Sequence, residues 1–244
     1  MQDTNYMKGV VSIIIPTYNR YDMLMNCIES CLNQTYKHTE LIIINDGSTD
    51  ERYYSSEIDE RFAWRKIKVI HLPVNMKKKH NLKSAHGLTR QEGLKIATGE
   101  WIAFLDDDDF LLPEKLETQL LIMKRNNYSF TSTDMYCVNH KSISKDKLDI
   151  EVLGRYITCN SKMGEIERFD HMQILHSNLI CNSTVIMHRT LVEKVGEFKG
   201  VPYEDLDYWL RALLITNCFY INKPLTYYTV KVKGKPHEKH YKIK

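Results

Sequence analysis

Residues 99–110 read "GEWIAFLDDDDF", a short apolar run from Trp101 to Leu105 that ends in four consecutive aspartates. A run that short and that uniformly apolar fits a strand buried on both faces, the kind found in a parallel sheet. The aspartates then sit at its carboxyl end, where open α/β sheets gather their ligands. Two unit charges ~4 Å apart near a protein surface repel by about 4 kcal/mol. Neighbouring carboxylates must therefore shift their pKa values, splay apart or bind a cation. Taken alone, the run fits a cation site and an acidic turn in solvent equally well.

The same arrangement recurs upstream. "VVSIII" (10–15) runs into "PTYNR" (16–20), "ELIIIN" (40–45) opens into "NDGSTD" (45–50), and "KIKVIH" (66–71) supplies a further strand. Between the first two strands, Leu24, Ile28, Cys31 and Leu32 share one helical face. "SAHGLTRQEGLKIATG" (84–99) predicts a second helix stopping near Gly99. "PEKLETQLLIMKRNN" (113–127) predicts a third, with Pro113 in its first turn. Short strands alternating with helices predict an α/β fold, a parallel sheet covered on both faces. Three polar loops then line one sheet edge, where such folds hold nucleotides.

The second half is less regular. "SFTSTDMY" (129–136), "STVIM" (183–187) and "PLTYYTV" (224–230) predict strands. "EDLDYWLRALLIT" (204–216) predicts a helix with Leu206, Leu210, Leu213 and Leu214 inward. Residues 138–180 carry no readable motif. With no repeat and no low-complexity linker, one domain spanning 1–244 is expected.

Composition narrows the classes. The 244 residues are 43% hydrophobic and 27% charged, ordinary for a globular protein with a sizeable core. A net charge of +3 gives no nucleic-acid signal. No apolar run approaches the ~18 residues of a membrane span, and "MQDTNYMKG" has no signal-peptide core, so a cytoplasmic location is expected. The six cysteines are scattered, and Cys27 and Cys31 share a helix face without forming C-x-x-C. Buried reduced thiols are expected, with a zinc site the lesser alternative. No G-x-G-x-x-G or P-loop pattern occurs. The aspartate run is not an EF-hand either, because Leu111 stands where the loop needs glycine. A few carboxylates completed by phosphate oxygens is instead how magnesium or manganese is usually held.

In chain order, "VSIIIPTYNR" (11–20), "ELIIINDGSTD" (40–50), "TRQEGLKIATGEWIAFLDDDD" (89–109) and "YEDLDYWLR" (203–211) resemble the family-2 inverting glycosyltransferases. The likeness is close over residues 10–115 and looser over 182–212. It implies the GT-A fold, a Rossmann-like, mainly parallel sheet flanked by helices. It further implies a nucleotide-sugar-binding half (about 10–115), an acceptor-binding and catalytic-base half (about 116–230) and a basic tail (231–244).

The resemblance assigns roles by position. Pro16, Thr17, Tyr18 and Asn19 would lie against the nucleotide, and Asp46 would accept a hydrogen bond that suits a uracil N–H. Arg90 would sit near the phosphates. Asp106 and Asp107 would bind the nucleotide-sugar, and Asp108, assisted by Asp106, would hold Mn2+ or Mg2+. One of Asp107 and Asp109 would order the site while the other faces water. Asp205 would be the base that deprotonates the acceptor hydroxyl, with Glu204 meeting the acceptor or orienting the loop. Acidic residues also serve simply as favourable charges in a helix's first turn. The implied activity is metal-dependent transfer of a sugar, from a UDP-sugar in the first instance, to a hydroxyl of a glycan or glycolipid in polysaccharide biosynthesis.

Some features depart from the pattern or stand outside it. Gln91 replaces the asparagine that commonly follows the arginine. The Q-x-x-R-W motif of processive synthases is absent, which favours single addition. "KKKHNLK" (77–83) reads as a solvated loop or as a contact near the diphosphate. His237 reads as an ordinary tail residue or as a phosphate or metal contact. The tail from Lys231 to Lys244 holds six lysines and one glutamate, suiting a solubilising end or contact with an anionic membrane surface. Two rivals are a sugar-nucleotidyltransferase and an inactive nucleotide-sugar-binding module. The first normally has a glycine-rich loop where "PTYNR" has none; the second is disfavoured by the presence of both Asp108 and Asp205.

Overall fold

In the computed structural model, which describes residues 6–62, 66–139, 152–155, 166–176 and 178–230, each apolar run of the first half forms a strand. These are β1 (Met7–Thr17), β2 (Thr39–Asn45), β3 (Ile67–His71) and β4 (Gly99–Phe104), paired in parallel in the order β3-β2-β1-β4. Successive side chains of a strand point to opposite faces. Accordingly Ile13, Ile15, Leu41 and Ile43 enter one core, and Ile14, Ile42 and Ile44 the other. Helices α1 (Tyr21–Leu32), α2 (Glu57–Arg61), α3 (Met76–Lys79) and α4 (His86–Ile96) fill the connections. Leu24, Ile28, Cys31 and Leu32 are all buried in the first core, the face expected for α1. On the other side α4 lies so close to β1 that a Cβ on Gly93 would be 2.5 Å from Ile14 Cγ2.

Downstream come β5 (Phe110–Leu111), α5 (Lys115–Asn126), β6 (Phe130–Asn139), β7 (Val152–Arg155), β8 (Ile166–Phe169), α6 (His171–His176), β9 (Ile186–His188), α7 (Arg189–Val195), α8 (Glu204–Leu213) and β10 (Cys218–Val230). The same sheet continues as β4-β9-β6-β10-β5. β9 runs antiparallel to β4 and to β6, whereas β6 and β10 are parallel. The sheet is thus parallel in its first four strands and mixed beyond, with β7 on β6 and β8 on β10 as antiparallel additions.

Several boundaries differ from expectation. "STVIM" splits into a single 3₁₀ turn, Asn182–Thr184, followed by β9. Helix α5 begins at Lys115, two residues after Pro113. The inward stripe of α8 is Glu204, Tyr208, Trp209, Ala212 and Leu213, while Leu206 and Leu210 pack on its flank. Leu214 lies beyond the last turn and is 74% exposed, so it is not a core residue. β10 starts six residues before "PLTYYTV", and its register shifts around Pro224, which lacks the N–H of a regular ladder.

Of the five described cysteines, Cys181 is partly exposed and the other four are buried. Among the described residues no helix is long and apolar enough to cross a membrane. Cys159, His237, the basic tail and much of the 138–180 segment lie outside the described residues. The carboxyl ends of β1, β2 and β4 bring the three polar loops to one edge. The amino end of α8 and the last residues of β10 meet them there.

Candidate active site

The loops at this edge are tied to one another by side chains. Thr17 Oγ1 and the Tyr53 hydroxyl are 2.7 Å apart, and that hydroxyl also accepts from the Arg20 N–H at 2.9 Å. Asn19 adopts a left-handed backbone conformation (φ 52°), which asparagine tolerates better than most residues. Its Oδ1 accepts from the Thr49 N–H at 2.8 Å, so Asn19 laces the first loop to the second rather than lining the cleft. Pro16, Thr17 and Tyr18 do line it.

The four aspartates separate into two pairs. A tight turn, closed by the Asp109 N–H donating to the Asp106 carbonyl at 3.0 Å, points alternate side chains in opposite directions. Asp107 and Asp109 are fully buried; the side chains of Asp106 and Asp108 are 27% and 18% exposed and face the cleft. Asp109 accepts from the Ser183 hydroxyl and from the Thr229 N–H (2.8 Å). Asp107 pairs with Arg20. Burial pushes the Asp107 carboxyl up to about 7 and raises that of Asp109 as well. Neither faces water, which corrects that expectation. Asp107 does not line the cleft itself but touches it through Arg20, which also pairs with Asp108, and through Thr17. Arg20 closes "PTYNR" far from the aspartates in sequence, and only the fold brings the two together, so no sequence signal marked it.

Arg90 on α4 is 2% exposed and bridges two elements, pairing with Asp106 and, at 3.2 Å, with Glu204 on α8. Burial opposes ionisation of Asp106, but the Arg90 guanidinium prevails and holds its carboxyl below the ordinary value. The approach of α4 to α8 requires Gly87, where a Cβ would stand 2.7 Å from Glu204 Cγ. Glu204 also lies 3.5 Å from the Ser84 hydroxyl, so each of its carboxylate oxygens has a partner. Gln91 points away from the cleft and accepts from the Phe198 N–H at 3.0 Å, anchoring the segment that leads into α8.

Tyr203, left-handed at φ 54°, turns the chain into α8 and sets Asp205 in its first turn. Asp205 accepts from the Leu206 N–H (2.8 Å) and lies 3.4 Å from the Asn178 amide. Burial raises its carboxyl above the ordinary value, despite that N–H and the field of Arg90. Asp205 shares with Arg20, Arg90, Asp106, Asp108 and Glu204 a cavity of about 550 Å³. An adjoining cavity of about 270 Å³ is lined by Thr17, Tyr18, Asp46, Lys77, Lys83 and His86. Asp46 accepts there from Asn75 Nδ2 (2.9 Å) and the Met76 N–H (2.7 Å), and burial raises its carboxyl. "KKKHNLK" is not all loop, since Lys77–Lys79 belong to α3; Lys77 from that helix and Lys83 beyond it stand at the cleft, as does His86, which no motif singled out.

The carboxylates of Asp106 and Asp108 are hard oxygen donors aimed into one cavity. Among the described residues no cluster of three or more histidine, cysteine or acidic side chains could hold an ion unaided. One or two carboxylates completed by phosphate oxygens is the ordinary environment of magnesium, so the donor set fits a nucleotide-borne divalent ion.

Residues 12–196 match the model of the family described as "Glycosyl transferase family 2". The chain belongs to that family. Within it, the chain is 34% identical to the Escherichia coli UDP-Glc:alpha-D-GlcNAc-diphosphoundecaprenol beta-1,3-glucosyltransferase WfaP over 204 residues, covering 84% of this chain and 70% of WfaP. Among solved structures, S. aureus TarS 1-349 in complex with UDP-GlcNAc superposes with a TM-score of 0.70 at 21% identity, over 94% of this chain and 60% of that one. The mannosyltransferase PcManGT from Pyrobaculum calidifontis, in complex with GDP-Man and Mn2+, gives 0.64 at 17% identity, over 92% and 58%. At these identities the structures show the fold, which is GT-A. The chain spans about 60% of either one.

Proposed function

We propose that this family-2 glycosyltransferase is a metal-dependent inverting enzyme that moves a sugar from a UDP-sugar to a hydroxyl of a glycan or lipid-linked glycan, in polysaccharide biosynthesis. The observation that carries this reading is the convergence of Asp106, Asp108 and Asp205 on one cavity that adjoins the pocket at Asp46. The names of the relatives support it: WfaP is named for UDP-Glc and a diphosphoundecaprenol acceptor, TarS is complexed with UDP-GlcNAc, and PcManGT carries Mn2+.

The residues divide the work. Thr17, Tyr18 and Asp46 hold the nucleoside; the Asp46 carboxylate, with four lone-pair positions, retains acceptor capacity beyond its bonds to Asn75, Met76 and Thr89. Asp106 and Asp108 would hold Mn2+ or Mg2+, which when bound neutralises charge on the leaving diphosphate. Arg20 and Arg90 place fixed positive charge in the same cavity. Asp205 accepts the proton of the acceptor hydroxyl as its oxygen bonds to the anomeric carbon and the bond to the diphosphate breaks. A carboxyl pKa raised by burial suits it to take that proton. Asp205→Asn should lower transfer by ~10²–10⁴-fold, the usual contribution of a general base, while UDP affinity measured by calorimetry stays nearly unchanged. Loss of UDP affinity in step with activity would make Asp205 a structural or donor-binding residue instead.

A further inference from the structure

Arg20 stands where the two cavities meet: it lines the larger one, with Asp106, Asp108 and Asp205, and the smaller one at Asp46. Its guanidinium is engaged on all three nitrogens. Nε lies 3.2 Å from Asp107 Oδ2 and Nη2 2.5 Å from Asp107 Oδ1, the planar fork that arginine forms with a carboxylate. The Asp107 side chain is fully buried, and the Arg20 N–H is itself held by the Tyr53 hydroxyl. Both ends of the side chain are thus fixed. The remaining nitrogen, Nη1, donates to Asp108 Oδ2 in the cleft.

A divalent ion on Asp108 therefore competes with a cation that the fold holds on the same carboxylate. Taking Asp108 from Nη1 with no anion in exchange leaves two positive charges side by side. A diphosphate relieves both costs, because its oxygens can accept from Nη1 and complete the coordination of the ion. We infer that Arg20 makes ion and nucleotide binding interdependent: its guanidinium guards Asp108 against a bare divalent ion and yields that carboxylate when a diphosphate takes Nη1. The inference rests on the metal reading proposed above. The position of Arg20 suits this exchange, since a diphosphate joining a nucleoside at Asp46 to a sugar beside Asp205 passes the junction it occupies.

The test is binding of Mn2+ alone to the full chain, read by electron paramagnetic resonance of the free ion. Wild type, Arg20→Gln, Asp108→Asn and the double variant are compared, each first shown to melt cooperatively. Without nucleotide, Arg20→Gln should bind Mn2+ roughly tenfold tighter than wild type, the scale of one charge-assisted hydrogen bond. The factor by which UDP strengthens Mn2+ binding should shrink, and by linkage so should the factor by which Mn2+ strengthens UDP binding. In the Asp108→Asn background the same substitution should gain nothing. A merely structural Arg20 gives the opposite sign, because a loosened aspartate turn binds the ion less well. Unchanged or weaker Mn2+ binding in Arg20→Gln overturns the inference alone. A gain that persists in the Asp108→Asn background also overturns it, because the general field of the cavity then suffices. Should Arg20→Gln not fold, Arg20→Lys replaces it: one ammonium keeps a charge for Asp107 but offers no fork to span both carboxylates. Mn2+ binding no tighter than wild type in that variant overturns the inference as well. A wild type that binds Mn2+ neither with nor without UDP overturns the metal reading beneath it.

Discussion

The aspartate run is tolerated because its four carboxylates do not share one environment. Two are withdrawn into the fold against Arg20, Ser183 and the Thr229 N–H, and two are presented to the cleft beside Arg20 and Arg90. Asp205 is tuned separately, its carboxyl raised by burial and moderated by neighbouring donors. A base works deprotonated, so kcat/KM should fall as pH drops through that raised value, above the ~3.9 of an unperturbed aspartate. Asn178→Ala removes an amide 3.4 Å from the charged form. Removing a donor to a carboxylate raises its pKa, so the acidic limb should move to higher pH. A pH profile in which the limb stays put or moves down would show that Asn178 does not act on Asp205.

At the scale of elements, the site depends on how closely α4 and α8 approach. Arg90 and Glu204 span that approach, and Gly87 permits it. Gly87→Ala would place a methyl 2.7 Å from Glu204 Cγ and 3.2 Å from Phe198 Cδ1. Overpacking of this kind costs about 1–3 kcal/mol, which thermal denaturation should register together with a loss of kcat. A second element prediction concerns α5. Lys115 is 1% exposed, with Gln119 Oε1 at 2.8 Å from its ammonium, and burial pulls its pKa down to about 7. Between about 7 and the ~10.4 of an unfolded lysine, the unfolded chain binds more protons, so stability rises with pH across that window. Lys115→Met abolishes this term. Its Tm advantage over wild type should be larger at pH 7 than at pH 10; an equal difference at both would contradict the assignment.

The elements also show what could be read from sequence. β1, β2 and β4 were legible because strands buried on both faces are largely apolar, the half-exposed edge strand β3 because Ile67, Val69 and Ile70 are β-branched, and α1 because its apolar residues recur at helical spacing. Of the leucines expected on the inner face of α8, Leu213 is buried, Leu206 and Leu210 pack at its flank and Leu214 is exposed; Tyr208 and Trp209, amphipathic in composition, take the central positions against Phe104 and Phe130. β9 was legible as the end of "STVIM", but its bounds and the start of β10 were not, because short or bulged strands pair with distant partners that no local pattern reveals. Among site residues, those in the quoted motifs could be named, whereas Asn182 and Thr229 are marked by burial and by position on the cavity wall, and His86, which is exposed, by position alone.

Across the whole molecule, one sheet frames the cleft. Its parallel half, β3-β2-β1-β4, carries the three polar loops, and its mixed half brings β10 and the start of α8 against them. The family membership and the GT-A fold fix the frame. The central claim is that Asp108, together with Asp106, binds a divalent ion on the nucleotide diphosphate within that frame. The most direct test is calorimetric titration of UDP into wild type and Asp108→Asn, each with and without Mn2+. The account predicts that Mn2+ strengthens UDP binding to wild type, and that Asp108→Asn loses this gain while keeping weak metal-independent binding. Wild-type affinity indifferent to Mn2+, or a variant that titrates like wild type, would contradict it.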